Sequence, residues 1–361
     1  MSTILPTKPN LTADLDQEIL VGHAHQSVTP CLPQRADIEN LAKLIQSEMK
    51  QSPWNNAKHP SGVRQISACI DRGCGSGPNC RALTDAFRRC INGHTMSYYN
   101  ERNPADFPGL ATQVRMRNEQ GACGYHSMIC GSFLDQLLPN SSLDLVTSNA
   151  ALHWIDLDHA AVGLPGFAAR EDWCLSELAD EQWRRFLTVA SAELRTGGKL
   201  VVSFVAAQSE SGSQDHIPLR LIEFGIDKVF GTVRNHWSRP PIPIHLRTSE
   251  QISAPFKDAD RPVPLRLKRC RVESVNCPYF QAYESHRCAT RYADEFTGFL
   301  RAFSESSLRH WCELGVEQGY LSPGAFKKIA GVYRHIHTLI CSNPEEWRMK
   351  KHRAVVVAEQ V

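Results

Sequence analysis

An acid at a strand's end followed at once by a run of glycines is the first group in this sequence that could do chemistry. It reads Asp71-Arg72-Gly73-Cys74-Gly75-Ser76-Gly77-Pro78-Asn79. Glycines let a backbone turn tightly and lie against a ligand with no Cβ in between. The acid stands before the glycines, which suits the amino group of a methionine moiety. A dinucleotide site would show its acid about 20 residues after the loop. A phosphate loop is excluded because no Gly-Lys-Ser/Thr follows. The second acid, Glu101, ends the next predicted strand, where its two oxygens can accept both hydroxyls of a ribose. The plainer alternative is a solvated acid at a strand end.

These groups need a strand before them and a helix after them, and the pattern supplies both. Val63 to Ile70 is a short, largely apolar run ending at Asp71, and Arg81 to Ile91 has helical character. Upstream, Ile38, Leu41, Ile45 and Met49 share one face of a predicted helix that starts at Ala36. Strands are expected at Ser97–Asn100, Leu143–Ser148, Lys199–Val205 and, late in the chain, Ala354–Ala358. A helix over Trp183–Leu194 is expected to stop at Thr196-Gly197-Gly198. Strand and helix alternating in this way imply a parallel sheet with helices on both faces. Residues 1–35 read as an arm or lid, 36–210 as the core, 211–340 as a mainly helical cap, and 341–361 as a final strand returning to the core.

Composition narrows the class. The 361 residues are 42% hydrophobic and 22% charged, with a net charge of +2, ordinary for a globular protein. The basic run Arg348 to Arg353 (RMKKHR) reads as a solvated approach to the last strand, so no nucleic-acid face is expected. Thirteen cysteines occur without a C-x-x-C pair or finger-spaced histidines, so no structural zinc is expected. Reduced thiols, no charged start before an apolar run and no membrane-length apolar stretch fit a cytoplasmic enzyme.

Taken in order, these residues resemble the SABATH family of carboxyl and N-methyltransferases, over most of the chain. The family's D-L-G-C-x-S-G-P-N is similar to the run at 71–79, and its N-D-L-P-x-N-D-F to Asn100-Glu101-Arg102-Asn103-Pro104-Ala105-Asp106-Phe107. Its G-S-F-Y resembles Gly131-Ser132-Phe133-Leu134. Its S-L-D-L-V-x-S-x-x-x-L-H-W is met nearly letter for letter by Ser142 to Trp154. E-L-x-P-G-G-x-L-V resembles Glu193 to Val201, I-P-x-Y-x-R-S-x-E-E-x-x-A-P-F resembles Ile242 to Phe256, and F-x-R-A-x-S-E-P-x-L resembles Phe299 to Leu308.

The resemblance implies a doubly wound, Rossmann-like class I methyltransferase sheet with a mainly helical cap, binding S-adenosyl-L-methionine. It implies a small-molecule acid as the acceptor and, as in many relatives, a homodimer; the sequence itself leads to no metal, membrane or nucleic-acid partner being expected. Donor contacts would come from Cys31, Asp71, Gly73, Cys74, Asn79, Glu101, Arg102, Ser132, Phe133 and Ser148. Trp154 and Gln34 would hold the acceptor carboxylate, with His153 lining the pocket. Gln34 stands in Cys31-Leu32-Pro33-Gln34, where the family has S-x-x-Q.

Departures from the pattern matter too. An early family tyrosine is Ser27 in that register, a leucine is Arg102, and the magnesium-associated D-x-F-N of plant members is Ser238-Arg239-Pro240-Pro241. Arg102 has two readings, stacked on an adenine or turned to solvent. His153 likewise has two, a general base or a shaper of the pocket. A carboxylate with a reference pKa near 4 is already ionised at neutral pH and needs no base. An N- or O-methyltransferase of specialised metabolism, or a catalytically silent scaffold, are the alternatives.

Overall fold

The computed structural model describes residues 32–50, 66–75, 80–103, 106–119, 124–157, 175–209, 216–231, 241–349 and 351–361. The helix expected from Ala36 opens earlier, as α1 (Leu32–Lys50). Five strands follow the sequence's alternation: β1 (Ser67–Arg72), β2 (Thr95–Glu101), β3 (Gly124–Cys130), β4 (Leu143–Asn149) and β5 (Leu194–Ala206). Between them lie α2 (Cys80–Arg88), α3 (Phe107–Glu119) and α4 (Leu175–Glu193). After β5 come α5 (Ile217–Phe230), α6 (Ser249–Ser253), β6 (Leu265–Val275), α7 (Pro278–His286), α8 (Ala289–Glu317) and α9 (Ile329–Ser342). β7 (Lys351–Gln360) closes the order.

The seven strands form one sheet in the order β3-β2-β1-β4-β5-β7-β6. β1 to β5 are mutually parallel, and β7 runs antiparallel to both β5 and β6. The chain winds outward from β1 to β3, then returns past β1 to lay down β4 and β5. That reversal puts a crevice at the carboxyl end of β1, the place where open α/β sheets bind ligands.

Alternation along the strands explains the layers. Cys69, Leu145, Val201 and Val357 face one side and pack with Ile38, Leu41, Ile45 and Met49 of α1 and with Phe87 of α2. Their neighbours Ile70, Val146, Val202 and Val356 face the other side, against Trp183, Phe186 and Leu187 of α4. Burying each such large apolar side chain stabilises the fold by roughly 1.5–3 kcal/mol. Helices α5, α7, α8 and α9 share a core of their own, around Phe280, Tyr292, Phe296, Trp311, Val332 and Ile336. No helix among the described residues is long and apolar enough to cross a membrane.

Three expectations change. β6 emerges from the stretch expected to be a mainly helical cap, and β3 stands where the sequence pattern implies no strand; both are edge strands with half-exposed, charged or polar patterns. The α4 helix ends at Glu193, before Thr196-Gly197-Gly198, and those residues form an irregularity inside β5. Register there steps from Leu143↔Leu194 to Leu145↔Lys199, with Gly197 at φ +78°.

The RMKKHR run is not solvated as expected. Lys351 and Arg353 are each only 7% exposed. They share the alternation of Val357 and so point at α1, where Asp37 accepts from Lys351 Nζ at 2.9 Å and Arg353 Nη1 at 2.8 Å.

Candidate functional site

The crevice is built from four strand ends. Gly73 N and Cys74 N both donate to the Asn100 carbonyl of β2, at 3.0 and 3.1 Å, which folds the glycine turn over the end of β1. Gly73 has φ +68°, a conformation that strains any residue with a Cβ. Space is equally decisive, because a Cβ there would lie 2.6 Å from the Ala151 Cβ. Phe133 flanks the same turn, 3.8 Å from that position, and packs edge-on against Phe186 beneath it.

Asp71 sits under the turn, 2% exposed, with Oδ1 lacking any partner. Burial, and then the charge of Glu101, push its carboxyl up to about 8. A lone buried carboxyl oxygen is a costly feature, and a cationic group arriving above it would ionise the acid.

Glu101 is more heavily engaged than its sequence position suggested. Oε2 accepts from Gly75 N at 2.7 Å, and Oε1 from Arg102 N and Asn103 N at 2.8 and 3.0 Å. A carboxylate has about four acceptor directions, so the clasp on the glycine turn leaves room for one further hydroxyl rather than two.

Arg102 is half-exposed, but its guanidinium is held by an ion pair. Its Nη1 pairs with Asp156 Oδ2, which also accepts from Ser132 Oγ at 3.4 Å. Arg102 follows β2 and Asp156 follows β4, with β1 between them, so the ion pair crosses above the end of β1. Gln182 of α4 fixes the Asp156 backbone by a reciprocal pair of hydrogen bonds, 2.7 and 3.0 Å.

On the β4 side the chain turns sharply at Ala150, a non-glycine residue at φ +60°. Such a conformation costs of order 1–3 kcal/mol and gathers at functional sites. The turn brings Ala151 against Gly73 and sends Trp154 into an antiparallel bridge with Ile244. Ile155 N donates to Pro243 O at 2.8 Å and His245 N to His153 O at 3.0 Å. His153 is 7% exposed with an unpartnered Nδ1. Burial, then nearby Lys351, His216 and Arg247, push its pKa down to about 3, so the ring is neutral.

The expected residues therefore divide. Asp71, Gly73, Glu101, Arg102, Ser132 and Phe133 surround the end of β1, with His153 and Trp154 on the loop packed against it. Cys74 contributes its backbone there, while its side chain packs toward Tyr99 and Leu110. Ser148 turns inward: it is fully buried and donates to Arg72 O at 2.8 Å. Asn79 and Cys31 lie outside the described residues, and of Gln34 only its place in the first turn of α1 is described. Sequence reasoning missed Asp156, two residues beyond Trp154, and Arg247, which stood in view within the Ile242–Phe256 match.

No family model matches the chain, and no curated protein matches it in sequence. Among solved structures it is similar to loganic acid methyltransferase with SAH, at TM-score 0.66 and 13% identity over 91% of this chain and 94% of that one. The fold is that of a class I methyltransferase. A geranyl diphosphate methyltransferase in complex with SAM is similar more loosely, at TM-score 0.39 and 12% identity over 90% of this chain and 85% of that one. That second likeness is too loose to add anything to the fold.

Proposed function

We propose that this chain binds S-adenosyl-L-methionine at the end of β1 and transfers its methyl group to the carboxylate of a small acid. The observation that carries the reading is the orphaned Oδ1 of Asp71 beneath a turn that excludes a Cβ at Gly73. A buried acid ready to ionise fits an ammonium group, and the Cβ-free cradle fits a ligand lying flat on the backbone. The motif resemblance and the fold of loganic acid methyltransferase support the same donor.

When bound, the donor supplies an electrophilic methyl on a sulfonium. Asp71 would hold the amino end, Glu101 a ribose hydroxyl, and the Arg102–Asp156 pair, with Ser132 and Phe133, would border the adenosine. Trp154 carries one neutral N–H donor, able to orient a carboxylate oxygen without quenching it as an ammonium would. Neutral His153 contributes shape and polarity. Proximity of this kind is worth up to roughly 7–11 kcal/mol of a barrier in favourable cases. No proton need leave a carboxylate, so an idle base at the site is consistent with the chemistry.

The test is methyl-labelled donor with a panel of aromatic, aliphatic and terpenoid acids. The expected product is a methyl ester that mild alkali cleaves. A labelled product stable to alkali would move the reaction to nitrogen or an ether oxygen, and no product from any acid would overturn the reading.

A further inference from the structure

Arg247 is a guanidinium, 1% exposed, with no ion-paired carboxylate among the described residues. Asp180 acts on it only at longer range. Burying such a charge is costly, and what offsets it here is specific. Nη1 donates to the Leu152 carbonyl at 2.8 Å, Nη2 donates to the Ala179 carbonyl of α4, and Cζ lies 5.9 Å from the Trp183 ring centre. One fork thus clamps the loop carrying His153 and Trp154 to the helix behind it.

The backbone around Arg247 points the same way. Its own carbonyl accepts from Ala207 N at 3.0 Å, at the end of β5. The segment before it pairs with the loop through the Ile155–Pro243 and His245–His153 hydrogen bonds. Upstream, Ala150 holds a strained left-handed conformation, so the loop needs an outside restraint to keep one shape.

We propose that Arg247 is a positioning residue for the acceptor side: it fixes the Leu152 carbonyl, hence the placing of His153 and Trp154, and its charge favours an anionic acceptor. The inference rests on the acid-methylating reading only for its second half. Arg247 also stands among the neighbouring charges that lower the His153 pKa, after burial, Lys351 and His216.

Two variants separate the roles. Arg247→Lys keeps the charge but is a point donor that cannot span two carbonyls; Arg247→Met keeps neither. With the acid that the wild-type enzyme methylates fastest, Arg247→Met should raise acceptor KM and lower kcat, each by about tenfold, while donor Kd stays within about threefold. Arg247→Lys should restore KM and leave kcat low. If both constants stay within about twofold of wild type in Arg247→Met, the assignment is overturned. It is equally overturned if donor affinity falls in parallel with melting temperature and lysine restores nothing, since Arg247 then merely holds the fold. Should the wild-type chain methylate no acid, the acceptor reading fails by itself. The positioning claim is then read from ¹³C-histidine spectra of the donor-free protein. The His153 signal, assigned with His153→Gln, should shift or broaden in Arg247→Met; an unchanged signal would reject it.

Discussion

Ala151 lies so close to Gly73 that a methyl group on the glycine would sit 2.6 Å from the alanine Cβ. The loop after β4 and the turn after β1 are therefore one packed unit, and a disturbance of either is a disturbance of both. Gly73→Ala should reduce donor affinity by at least about tenfold and lower the melting temperature, because strain and overlap add. Gly75→Ala is the control: it has φ +59° but nothing within 4 Å. It should cost about 1 kcal/mol of stability and little affinity. Calorimetric titration with the donor and thermal melts check both variants.

Asp71 should report donor binding through its proton. Its carboxyl, held up to about 8 by burial and then Glu101, is protonated at about pH 6.5. A cationic amino group docking on it should release close to one proton, measurable by calorimetry in buffers of different ionisation enthalpy. Asp71→Asn should release none. The sign for stability follows: a raised carboxyl pKa favours the fold below the unfolded value of 3.8, and that contribution is lost as pH rises through about 8. The donor-free Asp71→Asn protein should therefore melt above wild type at about pH 9 and not at about pH 3.5.

The Arg102–Asp156 pair crosses the mouth of the crevice, and Arg102 is half-exposed. Asp156 is only 7% exposed, so without Arg102 its carboxylate would lose a partner it needs. Arg102→Leu should lower the melting temperature by a few degrees and speed donor dissociation severalfold in stopped-flow displacement. An unchanged dissociation rate would show that the bridge does not retain the donor.

His153 and His216 are both pushed down to about 3, by burial first and Lys351 second. Depressed histidine values favour the fold above the unfolded value near 6.5, and that stability is lost as pH falls toward about 3. The urea midpoint should decline below about pH 6.5, and His153→Gln should flatten part of that decline. Turnover of an acid acceptor should show no inflection near 6.5 that His153→Ala removes. Such an inflection would make His153 a working base.

The sequence revealed the centre of the sheet and lost its margins. Strands buried on both faces, such as Leu143–Asn149 and Lys351–Gln360, are dense in apolar residues. The edge strands Gly124–Cys130 and Leu265–Val275 alternate with charged or polar groups, a pattern that does not stand out from its surroundings. The same limit hid the ion pairs. Arg72 is fully buried against Glu193 at 2.5 Å, and Lys351 with Arg353 against Asp37, partners 121 to 316 residues apart. No local spacing discloses a partner that far away. The glycine turn was legible because its chemistry is local. Asp156 and Arg247 were not, because each acts across strands: one on Arg102, the other on the Leu152 carbonyl.

The most direct test is a crystal structure of the protein with S-adenosylhomocysteine. The sulfur should lie over Gly73 and face Trp154, with Asp71 Oδ1 hydrogen-bonded to the amino group at about 3 Å. A ligand seated elsewhere, or a Trp154 ring turned away from the sulfur, would contradict the account.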